Sequence, residues 1–151
     1  MSVKKIKDIM HDEVYSVNYR ATIKEVLELM VNKEISGVPV VDDDNYVVGF
    51  ISDGDIMKFI AKQDPRIIDI TVWYDTESFE KKLDDLMNLN VMELATTKVI
   101  SVDEDFEIDE VAKILGKKKI KKVPVLRDGR LVGVVSRAHI IRYIVSTRFL
   151  K

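Results

Sequence analysis

The chain has 151 residues, of which 46% are hydrophobic and 33% charged, a composition typical of a soluble globular protein with one domain or two small ones. It contains no cysteine, which excludes disulfides and thiolate metal sites and favours a reducing, cytoplasmic location. No apolar run reaches the roughly 18 residues of a membrane span, the N-terminus lacks a signal-peptide core, and the net charge is only −2, so we expect no membrane partner.

The elements occur twice in chain order. When the sequence is shifted along itself, residues 14–40 match residues 99–125 with 11 identities in 27 positions. Residues 46–60 then match residues 130–144 with five identities in 15 positions. Self-similarity of this kind predicts two copies of one supersecondary unit.

The repeat sets the predicted domain boundaries. A short lead-in at residues 6–10 matches another at residues 91–95, so each copy has the same beginning. We therefore predict a first repeat over 1–62, an insert with a helix over 63–89, and a second repeat over 90–151.

Each repeat begins with a short strand and an amphipathic helix. The runs "VYSV" and "VISV" are rich in β-branched residues and predict strands. A Thr22-x-x-Glu25 capping box precedes a helix over the next residues. Apolar residues then recur at helical spacing, and we expect them to be buried. They are Ile23, Val26, Leu27, Met30 and Val31 in the first repeat, and Ile108, Val111, Ala112 and Leu115 in the second.

The remaining elements are two strands and a second helix. The runs "VPVV" and "VPVL" are continuously apolar, as in strands buried on both faces. The turns "DDDN" and "RDG" lead from them into "YVVGFI" and "LVGVV", which predicts a hairpin in each repeat. Helices follow from Ser52 and Ser136. The predicted fold class is therefore α/β (α+β), with two pseudo-twofold-related strand–helix–strand–strand–helix repeats packed through their sheets.

The insert holds a third kind of helix. The run "TESFEKKLDDLMNL" places Phe79, Leu83, Leu86 and Met87 on one face. Before it, Trp73 and Tyr74 suit either a lid over the core or a contact patch.

The strand-to-helix junction "GFISDGDI" carries the most specific chemistry. A helix N-terminus presents unpaired N–H groups and a positive dipole end, which favour phosphate, and Ser52 adds a hydroxyl. The carboxylate of Asp55 repels phosphate but accepts hydrogen bonds from ribose hydroxyls. The pair therefore suits a ribose-phosphate, whereas in the structural alternative Ser52 and Asp55 only cap their helix. The second copy, "GVVSRAHI", keeps Ser136 but has His139 in place of the aspartate.

Other kinds of site have weaker support. Asp53 and the run Asp42–Asp44 lack the spacing of a Ca²⁺ loop, so no metal site is predicted. The basic run "GKKKIKK" lies in a half with 13 Lys/Arg against 8 Asp/Glu over 90–151, and it suits a solvated turn or a phosphate-binding wall more than DNA recognition. His11 has no nucleophile near it in the sequence, and no catalytic residue is predicted.

The repeat, the runs "ISGVPVVD" and "GFISDGDI", and their spacing together resemble the tandem cystathionine-β-synthase (CBS) domain family, whose paired unit is called a Bateman module. The resemblance implies a sensor that binds an adenosine-containing ligand such as AMP, ADP, ATP or S-adenosylmethionine and modulates an unknown partner protein. It also implies a homodimer, no catalytic activity and no required cofactor. The alternative is a ligand-independent dimerisation or interaction scaffold for an enzyme, a transporter or, less favoured, nucleic acid.

The resemblance also implies the ligand-binding residues. In the family, the Ser/Thr-x-x-Asp of one repeat holds ribose and phosphate, while the other repeat holds the base. One expected cleft therefore joins Ser52 and Asp55 to Phe106, Ile120, Lys121 and Val123. Its counterpart joins Ser136 and His139 to Ala21, Ile35, Ser36, Gly37 and Val38. We expect the cleft with Asp55 to bind better, because His139 has no fixed negative charge.

Overall fold

A computed structural model describes residues 4–11, 13–62 and 76–149. The chain forms two compact units that are not contiguous in sequence. The first unit consists of Ser16–Asp43 and Val48–Val99, and the second consists of Met1–Tyr15, Asp44–Val47 and Ile100–Lys151. None of the described helices combines the length and apolarity that a membrane crossing requires.

The first unit has a three-stranded sheet in the order β1-β2-β3, with β1 parallel to β2. The predicted order of elements is confirmed, although β1 is only two residues long. The central strand β2 is buried throughout, as its continuous apolar sequence predicts. The elements are β1 (Val17–Asn18), α1 (Ile23–Lys33), β2 (Gly37–Val41), β3 (Val47–Ser52), α2 (Asp53–Lys62) and α3 (Thr76–Asn88).

The second unit repeats this topology in the order β4-β5-β6. Strand β5 runs parallel to β4 and antiparallel to β6, which confirms the second predicted hairpin. The elements are β4 (Val102–Asp103), α4 (Ile108–Lys118), β5 (Lys122–Arg127), β6 (Arg130–Ser136) and α5 (Arg137–Arg148).

The predicted helix stripes are mostly buried. In α1, Ile23, Val26 and Met30 lie in the core, and Thr22 caps the helix by accepting a hydrogen bond from the Glu25 N–H. The prediction for Val31 is wrong, since its side chain is 76% exposed. The buried stripe of this helix is thus narrower than the apolar stripe in its sequence. Trp73 and Tyr74 of the insert lie outside the described residues.

The lead-in of each repeat joins the unit built by the other repeat. In the second unit, the 3-10 turn Ile6–Asp8 docks beside α4, where the Ile6 N–H donates to the Phe106 carbonyl at 2.8 Å. The Ile6 side chain is fully buried in the core of this unit. In the first unit, the 3-10 turn Val91–Glu93 docks in the same way, and the Val91 N–H donates to the Ala21 carbonyl at 2.8 Å. The sequence repeats and the compact units therefore divide the chain differently.

Glu104 is a buried charged residue of the second unit, with 8% of its surface exposed. Arg127 donates hydrogen bonds to both of its carboxylate oxygens, at 2.7 and 3.0 Å. These bonds are the main reason that the pKa of Glu104 lies below its ordinary value. Since the Lys7 N–H also bonds the Glu104 carbonyl, this residue connects the lead-in to the sheet edge.

Candidate functional site

The first motif lies where β3 passes into α2. Ser52 is the last residue of the strand, and its N–H donates to Asp55 Oδ2 at 2.9 Å. The Ser52 hydroxyl donates to the same oxygen at 3.1 Å, and the Asp55 N–H approaches that hydroxyl at 3.4 Å. These contacts form a reciprocal helix cap, so the capping role considered for the two residues is present in the structure. Within the described part of the chain, Asp55 Oδ1 accepts no hydrogen bond.

The segment before β2 is fixed to this helix start. The Asp53 N–H donates to the Ser36 carbonyl at 2.8 Å. Gly37 follows in a confined place, where a Cβ would lie 3.0 Å from the Phe50 ring and 3.1 Å from the Ile51 carbonyl oxygen. Since a side chain would require these neighbours to shift, glycine lets the segment approach β3 closely.

The second motif reproduces the cap with an imidazole in place of the carboxylate. The Ser136 N–H donates to His139 Nδ1 at 2.9 Å, and the His139 N–H donates to Ser136 Oγ at 3.3 Å. Since Nδ1 acts as the acceptor, the assigned neutral ring carries its proton on Nε2. The segment before β5 is again attached, because the Arg137 N–H donates to the Lys121 carbonyl and its Nε donates to the Ile120 carbonyl.

His11 lies beside the second motif, which sequence analysis did not foresee. Its ring centroid is 5.4 Å from that of His139, with 39° between the ring planes. The His11 N–H donates to the Val134 carbonyl at 3.3 Å, so the end of the lead-in is attached to β6. Burial is the main cause that lowers the pKa of His139 below 6.5, and the electrostatic interactions with His11 and Arg142 lower it further.

The predicted site residues fall into two groups by unit. Ser52 and Asp55 share the first unit with one group, and Ser136 and His139 share the second unit with the other. The pairing across the repeats that the family resemblance implies stays a prediction. The first group is Ala21, Ile35, Ser36, Gly37 and Val38, and the second group is Phe106, Ile120, Lys121 and Val123.

These predicted residues differ in how much of their surface a ligand can reach. Ser36 and Lys121 are exposed, whereas Val38 and Val123 are at most 1% exposed and their side chains belong to the core. Phe106 is half-buried and packs against the core of the second unit. The described residues contain no group of three His, Cys, Asp or Glu side chains placed to hold a metal ion.

Comparison with known proteins identifies the family. The CBS domain model matches residues 6–62 and 91–146, which is most of the chain. The chain therefore belongs to the CBS domain family and carries the domain in tandem. It is 31% identical to the uncharacterized protein MJ1426 of Methanocaldococcus jannaschii, over 93% of this chain and 90% of that protein.

Two solved structures share the fold over nearly the whole chain. One is the CBS domain pair of protein MJ0100 in complex with 5′-methylthioadenosine and S-adenosyl-L-methionine, with a TM-score of 0.74 and 25% identity over 97% of this chain and all of that chain. The other is CBSX2 in complex with AMP, also with a TM-score of 0.74, at 23% identity over 95% of this chain and 98% of that chain. The predicted fold class is confirmed by these similarities.

Proposed function

We propose that this protein is a regulatory module that binds an adenosine-containing ligand, of the class of AMP, ADP, ATP or S-adenosylmethionine, and modulates a partner protein. The observation that carries the proposal is the Ser52–Asp55 pair at the start of α2. One carboxylate oxygen of Asp55 closes the helix cap, and the other accepts no hydrogen bond in the described part of the chain. The ligands of the similar CBS domain pairs give the chemical class.

The roles of the polar groups follow from their chemistry. Asp55 Oδ1 is the acceptor for ribose hydroxyls, and bonds of this kind to a carboxylate are shorter and stronger than neutral ones. The positive end of the α2 dipole attracts the phosphate, and the Ser52 hydroxyl exchanges its bond to Asp55 for a bond to a phosphate oxygen. His139 presents an N–H donor at the corresponding place in the second unit, so we propose that the second motif binds the same ligand more weakly. The protein is regulatory and not catalytic in this proposal.

Four further residues are assigned to the ligand. We assign Ser36 and Gly37, and on the second repeat Lys121 and Phe106, to the two ligand sites that the family resemblance implies. Lys121 is exposed and presents a cation for phosphate. Ligand binding changes the conformation of the protein, and the partner protein recognises that change. The coupling between the two binding events is typically worth about 1–3 kcal/mol.

A thermal-shift series with AMP, ADP, ATP, S-adenosylmethionine and NAD tests the proposal. A ligand at 100 times its Kd adds about 2.7 kcal/mol to the free energy of unfolding, which corresponds to a rise in Tm of about 5–10 °C for a chain of this size. Guanosine and cytidine monophosphates are the matched controls and should have no effect. A Tm that no adenosine compound changes would contradict ligand binding and favour the ligand-independent scaffold.

We also propose that the protein is a homodimer, and that α5 contributes its interface. On this helix the apolar side chains of Ile141, Ile144 and Val145 are 58%, 45% and 36% exposed, and their spacing places them on one face. Closely spaced exposed apolar residues commonly mark interfaces, and symmetric dimers are the most frequent oligomers.

Ile141→Arg should convert the dimer to a monomer, because it places a charge within this apolar surface. Light scattering coupled to gel filtration measures the mass. Val31→Arg on α1 is the matched control, since Val31 is also exposed and apolar, and it should leave the dimer intact. A monomeric wild-type protein, or a dimer that survives Ile141→Arg, would contradict this interface.

A further inference from the structure

The start of α5 differs from the start of α2 in one chemical respect. At α2, the acceptor that caps the strand-end N–H is the carboxylate of Asp55, and at α5 it is His139 Nδ1. A carboxylate remains an acceptor throughout the pH range 5–8, because ordinary carboxyl groups titrate near pH 4. An imidazole loses its acceptor when it is protonated, since both ring nitrogens then carry hydrogen. At neutral pH both caps therefore hold the strand-end N–H, and in mild acid the imidazole cap is lost.

From this geometry we propose that His139 makes the second unit responsive to protons: its protonation opens the cap of α5 and weakens the docking of the lead-in segment. The first step is a conflict between donors. The Ser136 N–H lies 2.9 Å from Nδ1, and a proton on that nitrogen replaces a hydrogen bond with two donors that face each other. The ring must therefore leave the cap, and the Ser136 N–H loses its partner.

The second step involves His11. Among the described residues, the side chains that shift the pKa of His139 are those of His11 on the lead-in and Arg142 one turn along α5. Both oppose the added proton. The ring of His11 lies against that of His139, and its N–H is bonded to Val134 of β6, so a displaced or charged His139 acts directly on the docked segment. Met10, the residue before His11, packs on Gly133 of β6, and a Cβ at position 133 would overlap the Met10 sulfur.

The sign of the effect follows from the direction of the shift. The pKa of His139 in the folded protein lies below the ordinary value of 6.5, because burial and the electrostatic interactions with His11 and Arg142 disfavour the charged ring. The unfolded chain therefore takes up the proton first as the pH falls. The stability that neutral His139 provides is complete above about pH 6.5 and is lost as the pH falls from there through the folded-state pKa.

Amide hydrogen exchange followed by NMR tests the proposal on the full-length protein without any ligand. The protection of the Ser136 amide, corrected for the intrinsic pH dependence of exchange, should fall by up to about tenfold for each pH unit as the pH drops from about 6.5 through the folded-state pKa of His139, since in this range the open cap takes up the proton more readily than the closed cap. The Ser52 amide is the internal control in the same sample and should keep its protection. Long-range ¹H–¹⁵N spectra at pH 7.5 should place the lone pair of His139 on Nδ1.

His139→Asp gives the matched variant, because it installs the residue of the first repeat in the same cap. This variant should retain the protection of the Ser136 amide down to pH 5.5. Unchanged protection in the wild-type protein, an equal loss at Ser52, or a lone pair on Nε2 would each overturn the proposal. The comparison of Ser136 with Ser52 needs no variant, so it decides the question even if His139→Asp folds poorly.

A pH-dependent affinity at the second motif would follow if the proposed function is correct. That consequence rests on the proposed function, whereas the exchange experiment uses no ligand. Failure of ligand binding and failure of the proton response are therefore distinguished by separate measurements.

Discussion

Asp55→Ala should weaken the binding of the adenosine-containing ligand by about 10-fold to 100-fold. The expected loss is that of one charge-assisted hydrogen bond, worth roughly 1.5–3 kcal/mol, and each 1.4 kcal/mol corresponds to about a factor of ten in Kd. His139→Ala should change the affinity much less, because the second motif has no carboxylate. Isothermal titration calorimetry with the ligand selected by thermal shift measures both values.

This experiment must distinguish the loss of a ligand contact from the loss of the helix cap. Asp55 also bonds the Ser52 N–H and hydroxyl, so its removal destabilises α2 by about 0.5–2 kcal/mol. Urea denaturation of each variant gives this contribution, and titrations well below the Tm keep the protein folded. Asp55→Asn keeps the shape and a carbonyl acceptor for the cap while it removes the charge, and it should also bind weakly. If His139→Ala reduces binding more than Asp55→Ala, the second motif is the principal site.

Ile6→Ala should lower the free energy of unfolding by about 2–5 kcal/mol, as expected for the truncation of a buried isoleucine. Ile6 is fully buried in the core of the second unit, together with Val111 and Val125. A short N-terminal segment would ordinarily tolerate such a change. Chemical denaturation monitored by circular dichroism measures the loss.

Val31→Ala is the control for this truncation. It also removes methyl groups from an aliphatic side chain, but Val31 is 76% exposed, so the change should be within about 0.5 kcal/mol. Val91→Ala probes the corresponding position in the first unit, where Val91 is fully buried, and should also be costly. An Ile6→Ala variant as stable as Val31→Ala would show that the lead-in does not dock in solution.

Local pattern predicted most of the fold. The repeat, the helical spacing of Ile23, Val26 and Met30, and the apolar runs of β2 and β5 each depend on neighbours in the sequence, so local pattern identifies them. The bounds of the short strands β1 and β4 were harder to predict, because each strand has only two residues and is held by its parallel partner. Val31 is exposed because neighbouring elements cover only part of the apolar face of α1. Periodicity indicates the direction of that face but not how much of it is covered.

The sequence could not predict which sheet each lead-in joins. Residues 6–10 and 91–95 have similar patterns, so nothing local distinguishes the two possible docking places. That choice decides two further features, the contact of His11 with His139 and the backbone bond from Lys7 to Glu104. The burial of Glu104 was missed for a similar reason, because its partner Arg127 is on another strand. The capping of α2 by Ser52 and Asp55, in contrast, depends on four consecutive residues and was considered from the sequence as the alternative to ligand binding, whereas the cap that His139 forms with Ser136 was not predicted.

The crossed lead-ins also bear on how this gene can be divided. A break in the insert would yield two polypeptides that each retain the 3-10 turn needed by the other, because Ile6 completes the unit of Ile100–Lys151 and Val91 completes the unit of Ser16–Asp43. Neither half would then hold a finished hydrophobic core when produced alone. Co-expressed halves should instead restore the complete fold by fragment complementation. The two CBS domains of this chain would therefore have to stay together in one gene.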